Sequence, residues 1–65
     1  MTAPKNSREV RRRLENNLVV MRVNEPLTEQ WNRAEHRYLG LLLTTALLSP
    51  KEISYYDCMY QRLER

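Results

Sequence analysis

The sequence predicts an all-α protein in which three short helices form one small domain. Apolar residues recur at spacings of three and four, which is the periodicity of a helix with one buried face. The 65 residues include one Gly and three Pro, too few turn residues for a small β-barrel or sandwich. With 42% hydrophobic and 29% charged residues, the composition is that of a globular chain.

The first helix is expected over residues 7–24, after a flexible tail at residues 1–6. Ser7 is the expected N-cap, and Glu9 lies in the first turn, where the helix dipole favours an anion. The β-branched residues of the second half leave a short strand over residues 18–23 as the alternative, but the sequence offers no second β-rich run to pair with it. The apolar stripe of this helix consists of Val10, Leu14, Leu18 and Met21.

The second helix is expected over residues 28–48, because Pro26 ends the first helix and Thr28 can cap the next. Its second half is apolar on nearly all sides and must be buried on all sides, which two neighbouring helices of a small chain cannot achieve. Dimerisation or higher oligomerisation is therefore expected. Gly40 inside this helix is either simply tolerated or marks the close approach of another helix. One face carries Trp31, Ala34, Tyr38, Leu42 and Thr45, a second carries Leu39, Leu43 and Ala46, and Leu41, Leu47 and Leu48 add to the circumference.

The third helix, over residues 50–64, has the clearest start signal. Ser49 is the predicted N-cap, Pro50 takes the first helical position and Glu52 completes a capping box, with a hydrophobic staple between residues 48 and 53. We expect helices two and three to form an αα-hairpin, with helix one packed across it or across a second subunit. The core stripe of the third helix is Ile53, Tyr56, Tyr60 and Leu63, flanked by Tyr55 and Met59.

No residue pattern indicates catalysis, a cofactor or a metal site. One Cys and one His cannot supply the usual zinc ligands, and a Gly-rich phosphate loop is absent. Cys58 is expected to be a buried structural thiol, and a single free thiol suits a reducing cytoplasm. The longest nearly apolar stretch, residues 39–48, is about half a membrane span. We therefore expect a cytoplasmic protein that is not an enzyme.

A basic cluster at the start of helix one gives the candidate nucleic-acid contacts, in a chain of net charge +3. Only Arg8 and Arg12 share a helix face, and Arg11 can pair with Glu15. A solvated charged face is therefore the preferred interpretation. The full cluster is Arg8, Arg11, Arg12 and Arg13.

The aromatic residues and Met favour binding to another protein, because these types are enriched at interface cores. Leu42 and Leu43 project about 100° apart, so one is expected to pack within the subunit and the other against a second copy. The predicted core and oligomer residues are Trp31, Tyr38, Leu39, Leu42, Leu43, Leu47, Ile53 and Tyr60. The predicted partner-binding residues, at the rim of the hairpin, are Glu35, Arg37, Tyr55 and Tyr56.

Four segments carry a resemblance to a known family: residues 31–39, the leucine-rich run 42–48, the capped start 49–56 and residues 60–63. Together they resemble the small bacterial negative regulators of AraC-type transcription activators, the ANR or Aar-like family. The resemblance covers about residues 27–63, and helix one adds nothing to it. It implies a cytoplasmic helical regulator that binds an AraC-type virulence activator and blocks its dimerisation or its DNA binding. It further implies engagement of the nucleoid protein H-NS.

A second resemblance is to the Hha and YmoA family of H-NS partners. The run Ala34-Glu35-His36-Arg37 is similar to the Ala-Asp-His-Arg run of that family. Glu35 replaces the Asp, Gly40-Leu41 departs from the Glu-Leu that follows there, and the leucine-rich helix replaces a charged one. This alternative is therefore second to the AraC-type regulators. A small helical DNA-binding protein that uses the arginine cluster and a secretion chaperone are the remaining alternatives.

Overall fold

The periodic apolar residues form helices in the computed structural model, which describes residues 4–63. In that range the chain has three helices and no strand: α1 (Ser7–Val23), α2 (Glu29–Thr44) and α3 (Pro50–Leu63). The all-α prediction is confirmed, and residues 18–23 continue α1 instead of forming the alternative strand. Of the expected tail and the expected end of the third helix, residues 1–3 and 64–65 lie outside the described range.

The apolar stripe predicted for α1 is buried along its whole length. The N-cap is Asn6, not Ser7 as expected, because the Asn6 side-chain oxygen accepts a hydrogen bond from the Glu9 backbone N–H at 2.9 Å. At the other end, the backbone and side-chain N–H groups of Asn24 both donate to the Val20 carbonyl, at 3.1 and 2.8 Å. The buried stripe is Val10, Leu14, Leu18 and Met21.

The loop before α2 contains Leu27 at φ 70°, the one non-glycine residue with positive φ among those described. Thr28 caps α2 as predicted, since its hydroxyl accepts from the Trp31 backbone N–H at 3.4 Å. The same hydroxyl donates to the Glu25 carbonyl at 2.8 Å, which ties the cap to the preceding loop.

The expected extension of α2 to residue 48 is wrong, because the helix ends at Thr44. Thr45 is extended, with ψ 137°, and its hydroxyl accepts from the Leu47 backbone N–H at 3.1 Å. A threonine that binds a backbone group two residues ahead offers the chain an alternative to the helical hydrogen bond. The leucine-rich segment is therefore divided between a helix and a loop, in which Leu47 is exposed and Leu48 is buried.

The capping box that starts α3 is confirmed. The Glu52 backbone N–H donates to the Ser49 hydroxyl at 3.3 Å, and the Glu52 carboxylate accepts from the Ser49 backbone N–H at 3.1 Å. The two residues of the predicted staple both belong to the core, since Leu48 is buried and Ile53 packs against the buried cluster.

The closest helix pair is α1 with α2. Helix α3 still folds back along α2 as the expected hairpin, since Glu35 of α2 accepts from Tyr60 and Tyr38 donates to the Tyr56 carbonyl. The α2 and α3 backbones stay apart because tyrosine side chains lie between them. The Tyr38 and Tyr60 rings are stacked with centroids 5.9 Å apart, and the Tyr38 hydroxyl donates to the Tyr56 carbonyl at 2.6 Å. The molecule is thus an α1–α2 pair to which α3 attaches through tyrosine side chains and through half-buried apolar residues such as Ile53.

Candidate protein-interaction surface

The residues predicted for the core or an oligomer contact fall into three groups. Most lie in or against the core, which is the placement expected of them. Leu43 and Leu47 do not, since they are 79% and 42% exposed. We call these two residues the leucine patch. The buried members are Trp31, Tyr38 and Leu42, and the half-buried members packed on the core are Leu39, Ile53 and Tyr60.

The leucine patch lies where α2 gives way to the loop before α3. Leu42 packs inside the subunit while its neighbour Leu43 faces solvent, as the angle between adjacent helical residues requires. The intrachain half of that prediction is confirmed. The role of Leu43 at a second subunit stays a prediction, because the structure describes a single chain.

The four predicted partner-binding residues do not share a surface. Glu35 lies on the α3 side of α2, where its carboxylate accepts from the Tyr60 hydroxyl. Arg37 lies on the opposite flank of α2, beside α1. Tyr55 is 59% exposed, whereas Tyr56 is 4% exposed and belongs to the core, so its expected rim position is wrong.

Tyr56 is buried because it connects all three helices. Its hydroxyl donates to the Glu15 carboxylate of α1 at 3.0 Å, and its carbonyl accepts from Tyr38 of α2. Burial, and then the nearby Glu15 carboxylate, raise the pKa of Tyr56 to about 12, and burial raises the pKa of Tyr38 further. Both hydroxyls therefore stay protonated and act as structural hydrogen-bond donors at neutral pH.

Two of the four arginines in the α1 cluster form ion pairs within the chain. Arg11 binds Glu52 of α3 at 2.8 Å, not Glu15 as expected, and Arg13 binds Glu9 at 3.0 Å. The Ser49 backbone N–H, together with Arg11, lowers the pKa of Glu52. The other two arginines, at positions 8 and 12, are exposed and line one shallow depression with residues 6 and 9.

Two residues singled out in the sequence have surroundings that differ from expectation. Cys58 is exposed, so the expected buried thiol is wrong. Apart from its own helix backbone and chain neighbours, no described atom lies within 4 Å of the position a Cβ would take at Gly40, so neither α1 nor α3 packs closely there. Gly40 instead faces an open groove.

That groove, which we call the basic groove, runs between α1 and α2 with a volume of about 700 Å³. Gly40 and the half-buried Leu41 contribute apolar surface, while Arg37 and His36 line it as exposed residues. This surface is not predictable from the sequence, because its residues come from two helices and no local pattern contains the register between them. The remaining lining residues are Arg13, Asn16, Asn17 and Thr44.

The described residues form a small three-helix protein whose main surface features are the leucine patch and the basic groove. In residues 4–63, no three His, Cys, Asp or Glu side chains lie close enough together to hold a metal ion. None of the helices in that range is long and apolar enough to cross a membrane. No protein family, curated protein or solved structure matches this chain.

Proposed function

We propose that this chain is a small transcription regulator that acts by binding another protein. Its target in this proposal is an AraC-type transcription activator, whose dimerisation or DNA binding it blocks, and H-NS is a further partner. The observation that supports the proposal is the exposure of Leu43, an apolar side chain whose surface a partner protein would remove from water. The resemblance of residues 27–63 to negative regulators of such activators supplies the identity of the target.

The leucine patch supports self-association as part of this function. A chain of this length buries only about 60% of its unfolded surface, so contact with a second copy is a common way for it to gain stability. We expect Leu43→Ser to shift a dimer to monomer in sedimentation equilibrium without loss of helical circular dichroism. The matched control is Val19→Ser, which changes an exposed apolar residue on α1.

The main alternative, DNA binding by the arginine cluster, has less support. Two of its four arginines already bind carboxylates, which leaves Arg8 and Arg12 on one exposed face. Two phosphate contacts give a salt dependence with a slope of about −2 in a plot of log affinity against log salt. The Hha and YmoA alternative differs from the main proposal only in its partner, because both act through protein contacts.

Electrophoretic mobility shift of an AraC-type activator on its operator tests the proposal directly. We expect the purified chain to reduce the shifted band, and a crosslinked chain–activator complex to form without DNA. Tyr55→Ala should weaken this effect while the protein stays folded, since Tyr55 is mostly exposed. Tyr56→Ala is unsuitable as a second test of this surface, because Tyr56 is a core residue and its truncation would destabilise the fold. Unchanged activator binding to DNA at saturating chain would overturn the proposal.

A further inference from the structure

We infer that the basic groove binds an acidic amphipathic helix of a partner protein. This inference rests on the proposed function, since it adds to the Tyr55 contact a second partner-binding surface with one kind of ligand. The surface differs from the predicted rim residues, of which the groove contains only Arg37.

Charge is the first reason for an acidic ligand. Arg37 and His36 are exposed along the groove, and α1 adds Arg13 from the facing wall. Among the described residues that line it, none is acidic. Arg13 is paired with Glu9, but Arg37 has no ion pair within residues 4–63. A glutamate or aspartate of a partner would supply the carboxylate that an arginine side chain binds best.

Gly40 is the second reason, because nothing inside the chain explains it. A glycine weakens a helix relative to alanine, yet Gly40 does not have positive φ and no neighbouring atom excludes a side chain. The open space above it lets an external backbone approach α2 closely. Together, Gly40 and Leu41 form an apolar surface between the basic side chains that line the groove.

The shape of the groove favours a helix as the ligand. From Arg37 to Thr44 it follows about 10 Å of α2, or roughly two helical turns. Two turns present apolar residues three and four apart to the Gly40–Leu41 surface and acidic residues to the arginines. This is the way an amphipathic helix binds a groove. A nucleic acid backbone would satisfy the arginines but would leave the apolar part of the groove without a partner.

Fluorescence anisotropy with a labelled synthetic helix, leucine on one face and glutamate on the other, tests the inference. The control peptide carries lysine in place of glutamate, and a random-sequence DNA duplex is the third probe. Gly40→Leu fills the groove with a good helix former, so the melting temperature should not fall. Arg37→Glu reverses the central charge, and its matched control Arg12→Glu makes the same charge change outside the groove.

We expect the acidic peptide to bind and the lysine peptide not to bind. Gly40→Leu and Arg37→Glu should each weaken binding about tenfold or more, and Arg12→Glu should change it less than about twofold. Absence of acidic-peptide binding, or binding that both groove variants leave unchanged, overturns the inference. DNA binding that is lost in Arg37→Glu, with no acidic-peptide binding, also overturns it and assigns the groove to nucleic acid.

The activator mobility-shift assay separates a failure of the inference from a failure of the proposed function. Groove-dependent peptide binding without any effect on the activator would support the groove as a binding site and contradict the AraC-type activator as its target. If Gly40→Leu and Arg37→Glu leave the effect on the activator unchanged, the proposed function is supported and the groove is not the contact surface.

Discussion

The α1–α2 contact and the attachment of α3 use different kinds of interaction. The first joins two continuous apolar stripes, and it contains nearly all of the fully buried side chains. The second has one fully buried residue of α3, Tyr56, and combines half-buried apolar residues and the Tyr38–Tyr60 stack with hydrogen bonds and one ion pair. Apolar burial is non-directional, whereas a hydrogen bond requires a defined distance and angle between its donor and acceptor. The α1–α2 pair should therefore determine stability, and the polar contacts should determine where α3 lies.

Truncation of a residue in the α1–α2 contact should have the largest effect. Leu14 is fully buried, so Leu14→Ala should cost about 2–5 kcal/mol of unfolding free energy. A domain of this length has about 3–10 kcal/mol in total. Urea unfolding followed by circular dichroism measures the change. The exposed Val19, truncated to Ala, is the control on the same helix, and equal costs for the two variants would contradict the comparison.

Removal of the Tyr38 hydroxyl should affect α3 selectively. Tyr38→Phe loses the 2.6 Å hydrogen bond to the Tyr56 carbonyl and keeps the buried ring, at a cost of about 1–1.5 kcal/mol. Amide hydrogen exchange should show lower protection in α3 than in the wild type, with α1 nearly unchanged. Tyr55→Phe, on an exposed ring, is the control. A uniform loss of protection in all three helices would show that α3 does not open separately.

Loss of the N-cap of α3 should cost slightly less. Ser49→Ala removes the hydroxyl that accepts from the Glu52 backbone N–H, which should cost about 1 kcal/mol. Ser54→Ala, on an exposed residue inside the same helix, is the control. Thermal unfolding measures both, and an unchanged melting temperature in Ser49→Ala would mean that α3 begins at another residue.

The smallest expected effects are those of pH. Hydrogen bonds from the Lys5 and Ser49 backbone N–H groups lower the pKa values of Glu9 and Glu52 in the folded state. Their contribution is therefore complete above the pKa of an unfolded glutamate, about 4.3, and is lost as the pH falls through the lower folded values. Glu52→Gln should flatten the acid side of a stability–pH curve, and an unchanged slope would argue against the Glu52 contacts.

On the alkaline side the sign is reversed. The folded-state pKa of Tyr56 is raised to about 12, so its contribution is complete below the pKa of an unfolded tyrosine, about 10. That contribution is lost as the pH rises through the folded value. The unfolding free energy should be constant just below pH 10 and fall between pH 10 and pH 12, and Tyr56→Phe should reduce that fall.

The sequence predicted the helices better than their arrangement. The stripe of α1 is predictable because a period of 3.6 residues reports one buried face whatever covers it. The end of α2 is not predictable in this way, because a run of leucines has no periodicity. The Thr45 hydroxyl accepts from the Leu47 backbone N–H there and so competes with the helical hydrogen bonds. The closer approach of α2 to α1 than to α3 is not predictable either, because it depends on which side chains lie between the helices. The basic groove depends on the register between two helices, which no local pattern contains.

The turn before α2 shows where this fold is locally frustrated. Leu27 adopts φ 70°, a conformation that costs a leucine about 1–2 kcal/mol and that asparagine adopts more readily. Its side chain is 82% exposed, so almost no free energy of burial offsets that strain. Leu27→Asn should therefore raise the melting temperature without loss of a core contact. A substitution in a solvent-exposed loop, and not one in the core, is therefore the simplest way to stabilise this small protein.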